Sequence, residues 1–157
     1  MSDPAVLVER DGHVLTITLN RPEKRNAFNA EVLCLLGDAW DLLDADPELR
    51  VGIMTGAGGN FSAGADLDRL VGALLSGQPA EDEYEERIRQ DFTLIYKGFL
   101  KDHYVQKPII AAVEGYCYAG GMEILQAFDI RVVAENAQLA ISEVQRGLFP
   151  MSASTIR

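Results

Sequence analysis

Two glycine-rich turns, each preceded by a predicted buried strand and followed by a predicted helix, constrain the fold of this chain most strongly. The predicted strand 51–55 leads into the turn 56–66, and the apolar run 109–113 leads to the pair Gly120-Gly121. An apolar run of this kind is typical of a strand buried on both faces. Strands that alternate with helices favour an α/β layer joined by parallel crossovers. The sequence therefore predicts an α/β fold with both turns at helix N-termini.

The other elements follow from hydrophobic periodicity and from turn residues. Apolar residues at helical spacing predict a helix over about 29–45, with Asp38, Asp41 and Asp44 facing outward. The region 79–91 has six acids against two arginines and predicts an exposed helix start or a mobile flap. The remaining predictions are a hairpin of 5–8 with 13–19 around Asp11-Gly12, a weak helix over 67–75, a helix from Phe92 to Phe99, a helix from the Gly120-Gly121 turn through 128, and strands at 130–134 and 139–141.

Composition limits the class of protein. A chain of 157 residues with 48% hydrophobic content and no long linker predicts one domain over 1–157. A formal net charge of −10 argues against binding driven by charge to nucleic acid or to an anionic membrane. Cys34 and Cys117 lack metal-ligand spacing and predict buried, reduced thiols in an intracellular protein. The amino terminus lacks a basic region followed by an apolar run, so we expect a cytoplasmic protein with no membrane partner.

Two acidic residues near the second glycine-rich turn are the strongest candidates for chemistry. Glu123 lies three residues after Gly120 in a predicted helix that is apolar on nearly every side, where a carboxylate is costly. Glu143 follows twenty residues later. Two alternatives remain open from these residues alone: Glu123 complements the helix dipole, and Glu143 forms a surface pair with Arg146.

Other kinds of site fit the sequence less well. Residues 56–61 begin like a dinucleotide-binding loop, but Phe61 occupies the position of its third glycine. A phosphate-binding P-loop requires a glycine followed by Lys-Ser or Lys-Thr, and no glycine of this chain is followed by either pair. The motif G-x-S-x-G is also absent. His13 and His103 have no convincing serine or cysteine partner, so Cys117 is interpreted as a packed thiol. We expect no metal site.

Several segments, taken in order, are similar to one known family. They are residues 20–29 (NRPEKRNAFN), 55–67 (TGAGGNFSAGADL), 107–115 (KPIIAAVEG), 119–123 (AGGME), Asp129 and 142–147 (SEVQRG). With these motifs the chain resembles the crotonase (enoyl-CoA hydratase/isomerase) superfamily from about residue 5 to 150. The resemblance implies a spiral of ββα units and an acyl-coenzyme A thioester substrate. It implies no separate cofactor, because coenzyme A is part of the substrate.

The resemblance also assigns roles to individual residues. It implies that the backbone N–H groups of Ala65 and Gly120 bind the thioester carbonyl, so neighbouring side chains must be small, as Ala63, Gly64 and Gly121 are. Each such donor contributes roughly 3 kcal/mol to the stabilisation of an enolate-like transition state. Glu123 and Glu143 match the acids that hold one water in hydratases. Glu123 is the implied base and Glu143 the implied acid, which favours reversible hydration of a 2-enoyl-CoA to a 3-hydroxyacyl-CoA.

Substrate contacts and assembly are likewise implied by the resemblance. The matched substrate-binding positions are Lys24, Arg25, Ala27, Ala63, Ala65, Asp66, Leu67, Asp68, Gly120 and Gly121. A full-length protein of this family is expected to form a homotrimer or a dimer of trimers through carboxy-terminal helices. This chain ends at Arg157, before that helical region, so we expect the core domain to be incomplete at its carboxy terminus.

Two alternatives to hydration remain. The sequence reads Met151-Ser152-Ala153-Ser154 where many hydratases are rich in glycine, beside the reacting water. Another reaction of the superfamily, namely isomerisation, dehydration or thioester hydrolysis, is therefore possible for this chain. The short length leaves a third alternative, an acyl-CoA-binding fragment without catalytic activity.

Overall fold

The computed structural model describes residues 3–72, 76–152 and 154. In this part of the chain, one sheet contains five strands: β1 (Val6–Asp11), β2 (Val14–Leu19), β3 (Val51–Gly56), β4 (Ile109–Val113) and β6 (Ile130–Val133). Their order in the sheet is β1-β2-β3-β4-β6. β1 and β2 are antiparallel, whereas β2, β3, β4 and β6 are parallel neighbours, as the alternation of strands and helices predicts.

A second, two-stranded parallel sheet carries the second glycine-rich turn. It pairs β5 (Tyr116–Tyr118) with β7 (Gln138–Ala140). The sequence predicts β7 one residue away from its observed position, but it does not predict β5. Three residues are too few to show a strand periodicity.

Helix α1 (Ala30–Ala45) packs on the five-stranded sheet and has the predicted orientation. The Asn29 side chain accepts a hydrogen bond of 3.0 Å from the Val32 N–H and so caps the helix start. Trp40 is fully buried, and its indole N–H donates to the Gly98 carbonyl at 3.1 Å. Asp38 and Asp41 are exposed on the opposite face, where they pair with Arg87 and Lys97.

The acidic region forms helix α2 (Glu83–Gln90), and the following helix α3 (Thr93–Gly98) lies within the range predicted for it. The prediction that 79–91 is an exposed segment is wrong at Glu85, which is buried. Arg69 forms an ion pair with Glu85, and its second guanidinium nitrogen lies 2.6 Å from Glu81. Because Arg69 belongs to the short π-helix Leu67–Gly72, this contact joins the acidic region to the first glycine-rich turn. Part of the weak helix predicted over 67–75 lies outside the described residues.

Helix α4 (Gly120–Leu125) begins at the second glycine-rich turn. It is shorter than predicted, because residues 126–127 form a turn rather than continuing the helix to 128. Within the described residues, no helix combines the length and the apolar character that a membrane crossing requires.

The strands and loops that follow α4 expose many apolar side chains. All four residues of β6 are exposed, including Val132 at 60%. We call this region the 130–151 surface. Its exposed apolar members are Ile130, Val132, Val133, Leu139, Ile141, Val144, Phe149 and Met151.

Candidate active site

The two glycine-rich turns predicted from the sequence meet in the folded chain. Ser62 donates its N–H to the Tyr116 carbonyl at 2.9 Å, and the Tyr118 N–H donates to the Ser62 carbonyl at 2.9 Å. Gly64, at φ 96°, lies against the second turn. A Cβ atom placed on Gly64 would lie 2.7 Å from the Ala119 Cβ and 3.1 Å from the Gly120 nitrogen. The close approach of the two turns therefore requires glycine at position 64.

The Ala65 N–H is oriented by a parallel bridge with Phe28. The Phe28 N–H donates to the Gly64 carbonyl, and the Asp66 N–H donates to the Phe28 carbonyl, both at 2.8 Å. In such a parallel bridge, the residue that lies between the two bonded residues, here Ala65, directs its own N–H away from the partner segment. Within the described part of the chain, the Ala65 N–H makes no hydrogen bond. It is thus a fixed and unsatisfied donor.

Gly120 supplies a second donor of the same kind. It is the first residue of α4, and the first intrahelical bond runs from the Glu123 N–H to the Ala119 carbonyl at 2.9 Å. The Gly120 N–H consequently has no acceptor among the described residues, as expected at a helix start. Ala119 precedes it at φ 49° and ψ −119°, a conformation that favours glycine. Such backbone strain costs about 1–3 kcal/mol and is concentrated at functional sites.

Glu123 is buried beside these donors, as its position in an apolar helix predicts. Its residue exposure is 5%, and its carboxylate accepts a hydrogen bond of 2.6 Å from the Ser152 N–H. Burial raises the pKa of the Glu123 carboxyl above its ordinary value. The Ser152 N–H lowers this pKa, and the negative charge of Glu143 raises it. A raised pKa suits a carboxylate to general-base chemistry near neutral pH.

Glu143 lies close enough to Glu123 for the two charges to interact. It sits at the start of the 3₁₀ helix Glu143–Arg146 and is 7% exposed. Neither carboxylate oxygen has a hydrogen-bond partner within the described residues. The alternative of a surface pair with Arg146 is wrong, because Glu143 points inward and Arg146 is exposed. Both oxygens of Glu143 are therefore buried without a hydrogen-bond donor among the described residues.

The Asp66 carboxylate forms hydrogen bonds and an ion pair with other residues of the chain. One carboxylate oxygen accepts the N–H groups of Asp68 and Arg69 at 3.2 and 3.1 Å, and the other pairs with Arg21 at 3.1 Å. Burial raises the pKa of the Asp66 carboxyl, but the hydrogen bonds from Arg69, Arg21 and Asp68 outweigh it, so the pKa lies below its ordinary value. The backbone carbonyl also accepts hydrogen bonds from Leu70 and Val71.

The other predicted substrate-binding positions surround these turns. Lys24, Arg25, Leu67 and Asp68 are exposed, whereas Ala27 and Gly121 are buried and Ala63 is half-buried. The Arg25 guanidinium lies 5.1 Å from the centre of the Tyr116 ring. A Cβ atom on Gly121 would lie 3.0 Å from Ser62, so this glycine also allows the turns to pack.

Both thiols are buried, as predicted. Burial raises the pKa of Cys117 to about 12 and that of Cys34 to about 11. Neither is a thiolate at neutral pH, so Cys117 is a packed thiol rather than a nucleophile.

Two contributors to the site have no role assigned to them by sequence reasoning. Ser152 acts through its backbone N–H, which carries no side-chain signal in a sequence. Arg21 lies in the motif 20–29 that carries the resemblance, but neither the hydrophobic pattern nor the resemblance gives it a role, whereas in the structure its guanidinium contacts Asp66 beside Ala65. An arginine two residues after an apolar strand is a weak signal, because its partner lies 45 residues away.

Comparison with known proteins decides the family. Residues 9–157 match the model of the enoyl-CoA hydratase/isomerase family. The chain belongs to this family. That membership confirms both the crotonase resemblance and the α/β fold class inferred from the sequence motifs.

Individual relatives of the enoyl-CoA hydratase/isomerase family agree with this assignment. The chain is 44% identical over 156 residues to enoyl-CoA hydratase EchA19 of Mycobacterium tuberculosis, covering 99% of this chain and 56% of the relative. It is 39% identical over 149 residues to a carnitinyl-CoA dehydratase of Salmonella enteritidis, covering 94% of this chain and 52% of the relative. It thus spans about half the length of these curated relatives.

A solved structure agrees with the fold. The crystal structure of enoyl-CoA hydratase EchA1 from Mycobacterium marinum superimposes with a TM-score of 0.80 at 42% identity. The match covers 99% of this chain and 56% of that structure.

Proposed function

We propose that this chain carries the catalytic residues for reversible hydration of a 2-enoyl-CoA thioester to a 3-hydroxyacyl-CoA. The observation that carries the proposal is the combination of two unsatisfied N–H donors, at Ala65 and Gly120, with two buried carboxylates, Glu123 and Glu143. Fixed donors stabilise an oxyanion without reorganisation when charge develops on it. Buried acids supply and remove protons in the same water-poor region.

The proposed reaction begins with one water held between the two carboxylates. Glu123 accepts a proton from this water, and the oxygen of the water forms a bond to the β-carbon of the enoyl group. The electrons of the carbon–carbon double bond move to the α-carbon and the thioester carbonyl, giving an enolate whose oxygen accepts the N–H groups of Ala65 and Gly120. Glu143, in its protonated form, then donates a proton to the α-carbon. Proton exchange between the two acids restores the starting state.

Coenzyme A binding is proposed for the exposed residues beside the first turn. Lys24 and Arg25 supply positive charge for the phosphates on an otherwise acidic protein. Ala27, Ala63, Leu67, Asp68 and Gly121 are proposed to contact the substrate. We extend the proposal to a cytoplasmic, trimeric full-length protein that uses no separate cofactor.

Loss of the conjugated absorbance of 2-enoyl-CoA substrates of several chain lengths tests the proposal. The full-length natural polypeptide that contains residues 1–157 is compared with its Glu123→Gln and Glu143→Gln variants. Each variant is expected to lose about 100-fold or more in kcat, because general acid–base catalysis contributes about 10² to 10⁴. The exposed Glu135→Gln is the matched control and retains activity. Activity unaffected by Glu143→Gln would contradict the two-acid mechanism.

Dehydration of a hydroxyacyl-CoA is a second candidate, favoured by the 39% identity to a carnitinyl-CoA dehydratase. The same two acids would run the reverse reaction. Appearance of conjugated absorbance from a 3-hydroxyacyl-CoA with a polar tail, at a kcat/KM above that for hydration of 2-enoyl-CoAs, would favour this candidate. Tight acyl-CoA binding without turnover of any substrate would favour a non-catalytic binder.

A further inference from the structure

Arg21 connects the two segments that form the bridge at Ala65. One guanidinium nitrogen donates to the Ala27 carbonyl at 2.6 Å, and the other donates to the Asp66 carboxylate at 3.1 Å. Both charged side chains are largely buried, at 14% exposure for Arg21 and 9% for Asp66. A planar guanidinium can hold two acceptors in one fixed geometry, which a lysine cannot do.

The two contacts of Arg21 fall on either side of the bridge that orients the Ala65 N–H. Ala27 immediately precedes Phe28, and Asp66 immediately follows Ala65. Phe28 makes both hydrogen bonds of the bridge. Arg21 therefore holds the two bridging segments together from outside the bridge itself.

Arg21 is in turn fixed by Asn26. The Arg21 N–H donates to the Asn26 side-chain oxygen, and the Asn26 N–H donates to the Arg21 carbonyl, both at 2.9 Å. The Asn26 side-chain NH₂ also donates to the carbonyls of Ala57 and Asn60 at 2.9 and 2.7 Å. These hydrogen bonds hold the backbone of Arg21 against the first glycine-rich turn, which limits the positions that its guanidinium can adopt.

We infer that Arg21 is a positioning residue, which acts through Asp66 and Ala27 to hold the Ala65 N–H at the angle that an oxyanion requires. The inference rests on the proposed function, because it assigns Arg21 to the same site. Arg21 does not contact the substrate. Its loss weakens polarisation of the thioester carbonyl and slows turnover, while substrate affinity, which depends on other contacts, changes little.

The test compares Arg21→Lys with the wild type in the full-length polypeptide. The first readout is the infrared carbonyl stretch of bound [1-¹³C]butanoyl-CoA, which hydrogen bonds to the thioester oxygen shift to lower frequency. The second is the separation of kcat from KM with a 2-enoyl-CoA. We expect a smaller carbonyl shift, a kcat lower by about 10- to 100-fold, and a KM within about twofold of the wild type.

Two further variants make the outcome clear. Arg10→Lys is the matched control, because Arg10 forms an exposed ion pair with Asp46 on the first hairpin, and it leaves both readouts unchanged. Asp66→Asn removes the same ion pair from the other side and keeps a side-chain oxygen for the N–H groups of Asp68 and Arg69. If both residues act through one clamp, the effects of Arg21→Lys and Asp66→Asn are not additive in the double variant. Asp66→Asn alone carries the test if Arg21→Lys fails to fold.

The failures of the two ideas are distinguishable. If the wild type binds the labelled acyl-CoA without any carbonyl shift, the proposed function is overturned and the inference with it. If the wild type shows the shift, and folded Arg21→Lys and Asp66→Asn show the same shift and the same kcat, the inference alone is overturned.

Discussion

Glu123 and Glu143 place two carboxylates inside the protein, and neither forms an ion pair with a described residue. Buried charge without a cation is costly, so a chain selected only for stability would not keep these residues. Asp66 is the contrasting case, since its buried carboxylate has Arg21 and two backbone donors. Glu123 and Asp66 have pKa values shifted in opposite directions, so they predict opposite effects of pH on stability.

Replacement of Glu123 is expected to stabilise the protein at neutral pH. The folded-state pKa lies above the ordinary value of 4.5, so the unfolded chain loses its proton first and wild-type stability falls as pH rises through this window. Glu123→Gln cannot ionise and so does not lose this stability, and its free energy of unfolding at pH 7 should exceed that of the wild type by about 0.5–2 kcal/mol. Urea denaturation at several pH values measures it. The gain should vanish below pH 4.5, and a variant less stable than the wild type at pH 7 would contradict the account.

Replacement of Asp66 should have the opposite effect. Its folded-state pKa lies below the ordinary value of 3.8, so the charged form contributes stability above this pH, which is lost as pH falls through the folded-state pKa. Asp66→Asn should cost about 1–3 kcal/mol at pH 7. Urea midpoints of both proteins check this. The difference in unfolding free energy between the wild type and Asp66→Asn should narrow below pH 3.8. A difference that stays constant down to acid unfolding would exclude the ion pair with Arg21 as the source of the lost stability.

Single residues were predictable where side-chain chemistry conflicted with its surroundings. Glu123 could be selected because a carboxylate is out of place in an apolar helix. Ala65 has no such signal, because its proposed role belongs to its backbone N–H rather than to its side chain, and only the family motif points to it. Ser152 lies in the segment 151–154 that the resemblance places beside the reacting water, but its hydrogen bond to Glu123 comes from a backbone N–H and has no side-chain signal in the sequence.

At the scale of elements, the start of α4 combines a functional N–H with a strained residue. Ala119 occupies a conformation that glycine adopts readily, and the strain is maintained by the hydrogen bond from its N–H to the Ala140 carbonyl at 2.8 Å. The helix start is therefore held in place by β7 as well as by its own turn.

Ala119→Gly is expected to raise stability by about 1 kcal/mol, because it relieves this strain. Thermal or urea denaturation measures the change. Ala45→Gly, at the exposed end of α1, is the control and should lower stability, because there glycine only adds freedom to the unfolded chain. Equal losses in both variants would show that Ala119 is not strained.

Elements with long periodic patterns were predicted well, and short ones were not. Helix α1 and strand β4 are where the apolar spacing places them, since each buries a complete face or run against the sheet. β5 has only three residues, and its pairing with β7 depends on contacts that are distant in sequence. The burial of Glu85 depends on Arg69, 16 residues earlier, which no local pattern reveals.

For the molecule as a whole, the 130–151 surface is the most unusual feature. Contiguous exposed apolar side chains mark regions that become covered by other protein. β6 adds the open edge of a sheet, which can pair with another strand. The chain spans about half the length of its curated relatives, so the trimer and the acyl pocket remain predictions.

The isolated 157-residue chain is expected to self-associate through the 130–151 surface. Val132→Lys places a charge on the exposed edge strand and should lower the average mass measured by light scattering at a given concentration. Leu42→Lys, at an exposed apolar position on α1, is the matched control and should leave the mass unchanged. If both variants behave like the wild type, association does not use this surface.

The central claim is that the N–H groups of Ala65 and Gly120 form one oxyanion site facing Glu123 and Glu143. A crystal structure of the full-length polypeptide with a bound acyl-CoA tests it most directly. The account predicts a thioester oxygen within about 2.7–3.1 Å of both nitrogens, with the α- and β-carbons beside the two carboxylates. A thioester oxygen out of hydrogen-bond reach of either nitrogen would contradict it.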